Sequence, residues 1–126
     1  MTMTVLNMKP YKEQPVPEVG KDYHTFDDGK VRPSRHSIAT IVEVIPFDKC
    51  TDKALLEMWR DGVETCYWLF STKTDYFVKA KYDDETSYFV RTVDGGWFSL
   101  GFFASRLDID GSLYKIMVEY YGEEGK

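Results

Sequence analysis

The stretch "RHSIATIVEVIPF", residues 35 to 47, alternates Ile38, Thr40, Val42 and Val44 with Ala39, Ile41, Glu43 and Ile45. A period of two predicts a β-strand, and with both faces apolar except at Glu43 the strand is expected to be central in its sheet. Pro46 should end it, because proline gives no donor to a ladder. "VGKDYHTF" (19 to 26) reads as a preceding strand, and Asp27-Asp28-Gly29 as the turn between the two. "TDYFVKA" (74 to 80) and "TSYFVRT" (86 to 92) echo each other around "YDDE", the pattern of an antiparallel hairpin. Asp94-Gly95-Gly96 offers the positive φ of a second tight turn, so 74 to 103 reads as a three-stranded meander.

Two segments switch to the helical period. In "DKALLEMWRDG" (52 to 62) Leu55, Leu56 and Trp59 form one apolar stripe, with Asp52 or Thr51 as cap and Gly62 as stop. Leu113, Ile116, Met117, Tyr120 and Tyr121 recur at i, i+3, i+4, i+7 and i+8, and Ser112 and Gly122 suit the two ends. A helix is the preferred reading there, with a last β-strand as its competitor. "CYWLFS" (66 to 71) reads as a short buried strand or turn. The sum is an α+β fold: a small curled antiparallel sheet or SH3-like barrel of five or six strands with one or two helices. Residues 1 to 19, with Pro10, Pro15 and Pro17, read as a flexible or extended lead-in, and 20 to 126 as a single domain.

Composition narrows the class. Aromatic residues make up 16% of the 126, with nine Tyr, eight Phe and three Trp, more than a chain of this size readily buries, so self-association as a homodimer or higher homo-oligomer is expected. No apolar run reaches the roughly 18 residues that span a membrane, and the first residues lack the pattern of a signal peptide, which points to the cytoplasm and to Cys50 and Cys66 as free thiols. The net charge of −5 argues against general nucleic-acid binding.

Against that acidic background, Lys30, Arg32, Arg35 and His36 crowd into seven residues. Two guanidinium forks suit a phosphate or carboxylate, and Pro33 stiffens the loop that carries them. The competing reading is a solvated hairpin loop with Asp27 and Asp28 as its own counter-charges. A second cationic face follows from taking Tyr76, Val78 and Ala80 as core-facing. Strand alternation then puts Phe77, Lys79 and Lys81 opposite, and by the same rule Phe89 and Arg91 join them while Tyr88 and Val90 turn inward. Rings among cations suit a nucleotide; a helix lying over Phe77 and Phe89 would explain them equally. Trp97 is added for stacking or lining, and Arg106 because "SRLD" reads as a loop. Catalytic support is limited to His24 and His36, which flank the first turn and could meet across a hairpin. "DIDG" (108 to 111) lacks the ligands of a calcium loop and reads as turn chemistry. No metal and no cofactor are expected.

The motifs "YHTFDDGK-R-SRH", "CYWLF", "TDYF", "FVRTVDGGWFS" and "RLDIDG", spread over about residues 20 to 111, resemble small proteins encoded by gut Firmicutes and their phages or prophages. That group has no established activity, so the resemblance implies context alone: phage proteins of this size are often host-takeover or counter-defence factors, and some, such as the anti-Thoeris and anti-CBASS sponges, sequester nucleotide signals. The leading expectation is non-enzymatic sequestration of a small anionic ligand, nucleotide-type signals included, by Lys30, Arg32, Arg35, His36, Phe89, Arg91, Trp97 and Arg106. The alternatives are a protein-interaction module that blocks a host protein, and a small phosphodiesterase using His24 and His36.

Overall fold

A computed structural model describes residues 13 to 28, 30 to 33, 36 to 82, 84 to 100 and 104 to 122. Gly29 of the first turn, Arg35, part of "YDDE", and residues 101 to 103 of the expected third meander strand lie outside them, as does most of the lead-in.

Six antiparallel strands close into a barrel: β1 (Asp22–Asp27), β2 (His36–Pro46), β3 (Tyr76–Tyr82), β4 (Glu85–Arg91), β5 (Trp97–Ser99) and β6 (Ser105–Asp108), each paired with the next and β1 with β6. Helix α1 (Lys53–Thr65) follows a single 3-10 turn at Phe47–Lys49, and α2 (Ser112–Tyr121) ends the described chain. This is the expected α+β class. β2 stops at Pro46, and residues 112 to 121 are helix.

Alternation sorts the barrel wall into two faces. Ala39, Ile41, Val78, Ala80, Phe89, Trp97 and Leu107 fill the interior. Register corrects the expected face of the meander: Val78 stands opposite Phe89, so the two share the inside, while Phe77 and Val90 turn outward. They are not exposed there. Helix α1 lies over them, and Leu55, Phe70, Phe77, Val90 and Leu100 form a second buried cluster. Helix α2 covers a third, of Phe26, Val31, Leu113 and Met117. A helix therefore does cover Phe77, but Phe89 is barrel core.

Other expectations change in detail. β2 is not apolar-buried on both faces: Ile38 and Val42 are exposed on the outer one. Helix α1 runs past Gly62 to Thr65. Gly62 serves packing instead, since a Cβ there would lie 3.3 Å from the side chains of Leu100 and Phe70. Asp52 caps α1 as expected, its carboxylate accepting from Leu55 N–H. At α2 the cap position falls on Gly111 (φ 80°), which has no capping side chain. The Asp108 carboxylate substitutes by accepting from Leu113 N–H (3.1 Å) and Tyr114 N–H (2.8 Å). "SRLD" is not a loop but strand β6, which completes the closure.

The lead-in is described from Glu13 onward, and there it crosses one end of the barrel without helix or strand. Trp97 Nε1 donates to the Pro15 carbonyl at 3.1 Å, and Gln14 N–H to the Gly95 carbonyl at 2.9 Å. The buried Gln14 side chain donates to Asp110 and accepts from Ile109 N–H (2.8 Å) and Asp110 N–H (3.1 Å). Backbone groups at the ends of β4 and β6 are satisfied by this strap, where the ladder has run out.

Candidate functional site

The residues expected to form an anion site are distributed over several faces. Lys30 is exposed in the loop between β1 and β2. Arg32 pairs with Asp28, one of the aspartates foreseen as a counter-charge. Asp28 itself takes the left-handed conformation (φ 60°) that the turn demands. Arg35 is outside the described residues. Phe89 and Trp97 are fully enclosed in the barrel. Arg91 and Trp97 do meet: the guanidinium lies over the indole, donating to the Gln14 carbonyl (2.6 Å), the Gly95 carbonyl (2.7 Å) and Asp75 (3.0 Å). These bonds occupy the donors that an anion would use. Arg106 lies buried on the outer face of β6, 3.4 Å from Asp94 and above the Phe98 ring, with its Nε unpaired among the described residues. Burial alone would raise the Asp94 carboxyl; the Thr92 hydroxyl, Arg106 and Gly96 N–H outweigh it and hold it below its ordinary value.

His36 is under α2, and it brings His24 with it. Register places Phe26 opposite His36 and Ile38 opposite His24, so the imidazoles are diagonal neighbours. His36 Nε2 and His24 Nδ1 are 2.5 Å apart, and Tyr114 of α2 stacks on His24 with ring centroids 4.1 Å apart. Burial lowers both imidazoles below their ordinary value. Among the described residues no group of three or more His, Cys, Asp or Glu is placed to hold a metal.

Among the described residues an exposed aromatic surface lies elsewhere. Cys66 N–H closes α1 on Gly62, and Leu69 N–H and Phe70 N–H then turn back onto the Cys66 carbonyl. Leu69 to Ser71 are sewn to the end of β4: Ser71 N–H bonds Arg91, Phe70 bridges Thr92, and Val93 N–H bonds Leu69. With the backbone pinned on both sides and Phe70 driven inward, the residues between have nowhere to go but out. Tyr67 is 72% exposed and Trp68 64%, in edge-on contact at 5.4 Å. "CYWLFS" is thus a turn whose first aromatic pair is not buried. Met58 and Val93 are exposed beside it. Trp68 and Met58 border a cleft of about 460 Å³ between α1, the turn and β5, floored by Gly62, Phe70, Phe98 and Leu100. Its lining is mostly apolar, with Asp61 at the rim. Glu57, Asp61 and Glu64, all exposed, repeat at i, i+4 and i+7 on α1, on a face they share with the exposed Lys53 and Arg60. Sequence reading treated Tyr67 and Trp68 as core. The available signal was the end of the helical pattern immediately before two adjacent large aromatics, which a single short turn cannot both bury.

A second cleft, of about 510 Å³, runs beside the strap between Glu13, Asp75, Tyr76 and Asp110, with Arg91 at its base. Among the described residues no helix is long and apolar enough to cross a membrane. No protein-family model, curated protein or solved structure matches the chain.

Proposed function

We propose that the protein is a non-enzymatic binding module that docks an apolar, basic-flanked segment of another protein on the Tyr67–Trp68 surface. The observation that carries this reading is the exposure of two adjacent aromatic rings on a pinned turn at the mouth of an apolar cleft. Rigid, exposed aromatics lose little entropy on binding and are the usual anchors of protein interfaces. The carboxylates of Glu57, Asp61 and Glu64 outnumber Lys53 and Arg60 on that face of α1 and set the sign of the partner's flanks. Blocking a host protein is one use of such a surface, in the cytoplasm of a bacterial cell where Cys50 and Cys66 stay reduced, as both are free here.

The test is a panel of synthetic peptides sharing one apolar core, with Lys/Arg, neutral or Asp/Glu flanks, titrated calorimetrically into the full chain and into its Trp68→Ala variant. Basic-flanked peptides should bind, acidic-flanked ones should not, and Trp68→Ala should weaken binding by about 30-fold, equivalent to about 2 kcal/mol. Absence of binding in all three groups, or equal binding by Trp68→Ala, would refute the reading.

A second reading keeps the anionic ligand. In its favour, Arg32 Nε and Arg106 Nε are buried donors without an acceptor among the described residues. Calorimetry against mono-, di- and cyclic nucleotides separates the two readings, since only this one predicts heat with a nucleotide.

A further inference from the structure

Three titratable side chains stand in a row across the outer face of β6, β1 and β2. Asp108 pairs with His24 across β6 and β1, and His24 meets His36 diagonally across β1 and β2. Helix α2 rests on this row. Its first turn hangs from the Asp108 carboxylate, which occupies the position where Gly111 offers no cap. Tyr114 lies flat on His24 and 5.4 Å from His36. Leu113 and Met117 add an apolar anchorage on Phe26 and Val31, with Tyr114, Val118 and Tyr121 packed against the same cluster.

Two imidazole nitrogens 2.5 Å apart hold one proton between them, one ring donating and the other accepting. A second proton removes the accepting lone pair and sets two cations against each other. The neighbours supply little relief. Asp108, from β6, has both oxygens engaged by α2. Asp27, from β1, accepts from Ser105 Oγ (3.2 Å) and, more distantly, from Ser37 Oγ. Arg106, opposite Phe26 on β6, has the wrong sign, and in the β1–β2 loop Arg32 is paired with Asp28. From α2 the row meets the neutral Tyr114, while Lys115 and Glu119 are exposed to solvent.

We propose that the His24–His36 contact is an acid-operated latch: entry of the second proton undocks α2 and uncovers Phe26 and Val31. Burial lowers both imidazoles, and His24 lowers His36 further. A folded-state value below the ordinary one of about 6.5 means that the undocked form binds more protons. The latch therefore holds above about pH 6.5 and is lost as pH falls through the depressed values. Asp108 works in the opposite direction. Burial raises its carboxyl, so on acidification the docked form takes up that proton the more readily.

Hydrogen exchange of the full chain at about pH 7.5 and about pH 5, corrected for intrinsic rates, tests the latch in the range where imidazole titrates. Protection over residues 112 to 121 should fall by about tenfold or more at the lower pH while β3 and β4 keep theirs, tenfold being one pKa unit of coupling. In His36→Gln, whose amide nitrogen matches the position of His36 Nε2 but cannot be charged, α2 should be equally protected at both pH values. Unchanged protection in the wild type, or an undiminished acid loss in His36→Gln, overturns the proposal. Imidazole ¹⁵N titration of the wild type is independent of any variant's folding: two well-separated steps belonging to a coupled pair support the latch, and two independent titrations at the ordinary value overturn it.

Discussion

The guanidinium carbon of Arg91 lies 4.1 Å from the centroid of the Trp97 ring, directly across the β4–β5 ladder, and together the two residues form the seat on which the strap from Glu13 to Pro17 closes the barrel. The cation is held by Asp75 and by two carbonyls. Arg91→Met should keep the packing over Trp97 yet leave the Gln14 and Gly95 carbonyls without a donor, at a cost of about 2–4 kcal/mol in urea unfolding at neutral pH. Arg91→Lys should recover only part of that, because an ammonium cannot reproduce the fork. An unfolding midpoint within error of wild type for Arg91→Met would show that the strap does not depend on it.

Gln14 closes the same end from the other side. Gln14→Ala leaves the part-buried Ile109 N–H and Asp110 N–H without their acceptor, and should cost about 1–2 kcal/mol. Gln14→Glu retains the acceptor but turns a donor toward Asp110 into a second carboxylate. Its destabilisation should be larger at neutral pH than near pH 4, where carboxylates begin to take up protons. Chemical denaturation at the two pH values checks both variants.

Gly95 and Gly20 share a φ of 88°, but only Gly95 lies against the strap, where an added Cβ would come 2.9 Å from the Glu13 Cα. Gly20→Ala should cost about 1 kcal/mol from backbone strain alone. Gly95→Ala should cost about 2–3 kcal/mol, the excess measuring the clash with backbone. Equal melting temperatures for the two variants would mean that the strap yields without cost.

Asp94 predicts a pH dependence of known sign. Its carboxyl is held below the ordinary value, so its stabilisation is fully present above about pH 4 and is lost as pH falls through the folded-state value. Asp94→Asn should reduce stability by about 1 kcal/mol at neutral pH, with the gap to wild type closing on acidification. A gap that widens as pH falls would contradict the assigned hydrogen bonds from Thr92 and Gly96.

Trp68→Ala and Tyr67→Ala should leave unfolding within about 0.5 kcal/mol of wild type, because the rings are exposed and the turn is pinned by its backbone. A loss above about 2 kcal/mol in either would mark the pair as structural, since only buried side chains cost that much to truncate.

The sequence by itself determined what local chemistry controls. The period of two marked β1 to β4, the stripe of Leu55, Leu56 and Trp59 and that of Leu113 to Tyr121 marked the helices, and Asp52, Pro46 and Gly122 marked ends, because each depends on residues a few positions apart. Tertiary structure decided whatever depends on which face a neighbour covers. Phe77 and Phe89 occur in matching strand motifs, yet one is under α1 and the other is inside the barrel, because register across β3 and β4 inverts the second copy. β6 went unread because all four of its residues are buried, so it shows no alternation, and its partners β1 and β5 confirm it only once the barrel closes. The cationic cluster was legible as charge and Asp28 as a counter-charge for it, but the surroundings of Arg91 were not: Gln14 and Asp75 took it from 77 and 16 residues away. His24 and His36 were visible as flanks of one turn that could meet across a hairpin, while their stacking under Tyr114 and the outward thrust of Tyr67 and Trp68 come from chain segments far apart in sequence. A side chain's neighbours are set by closure of the whole barrel, and no window of the sequence contains that.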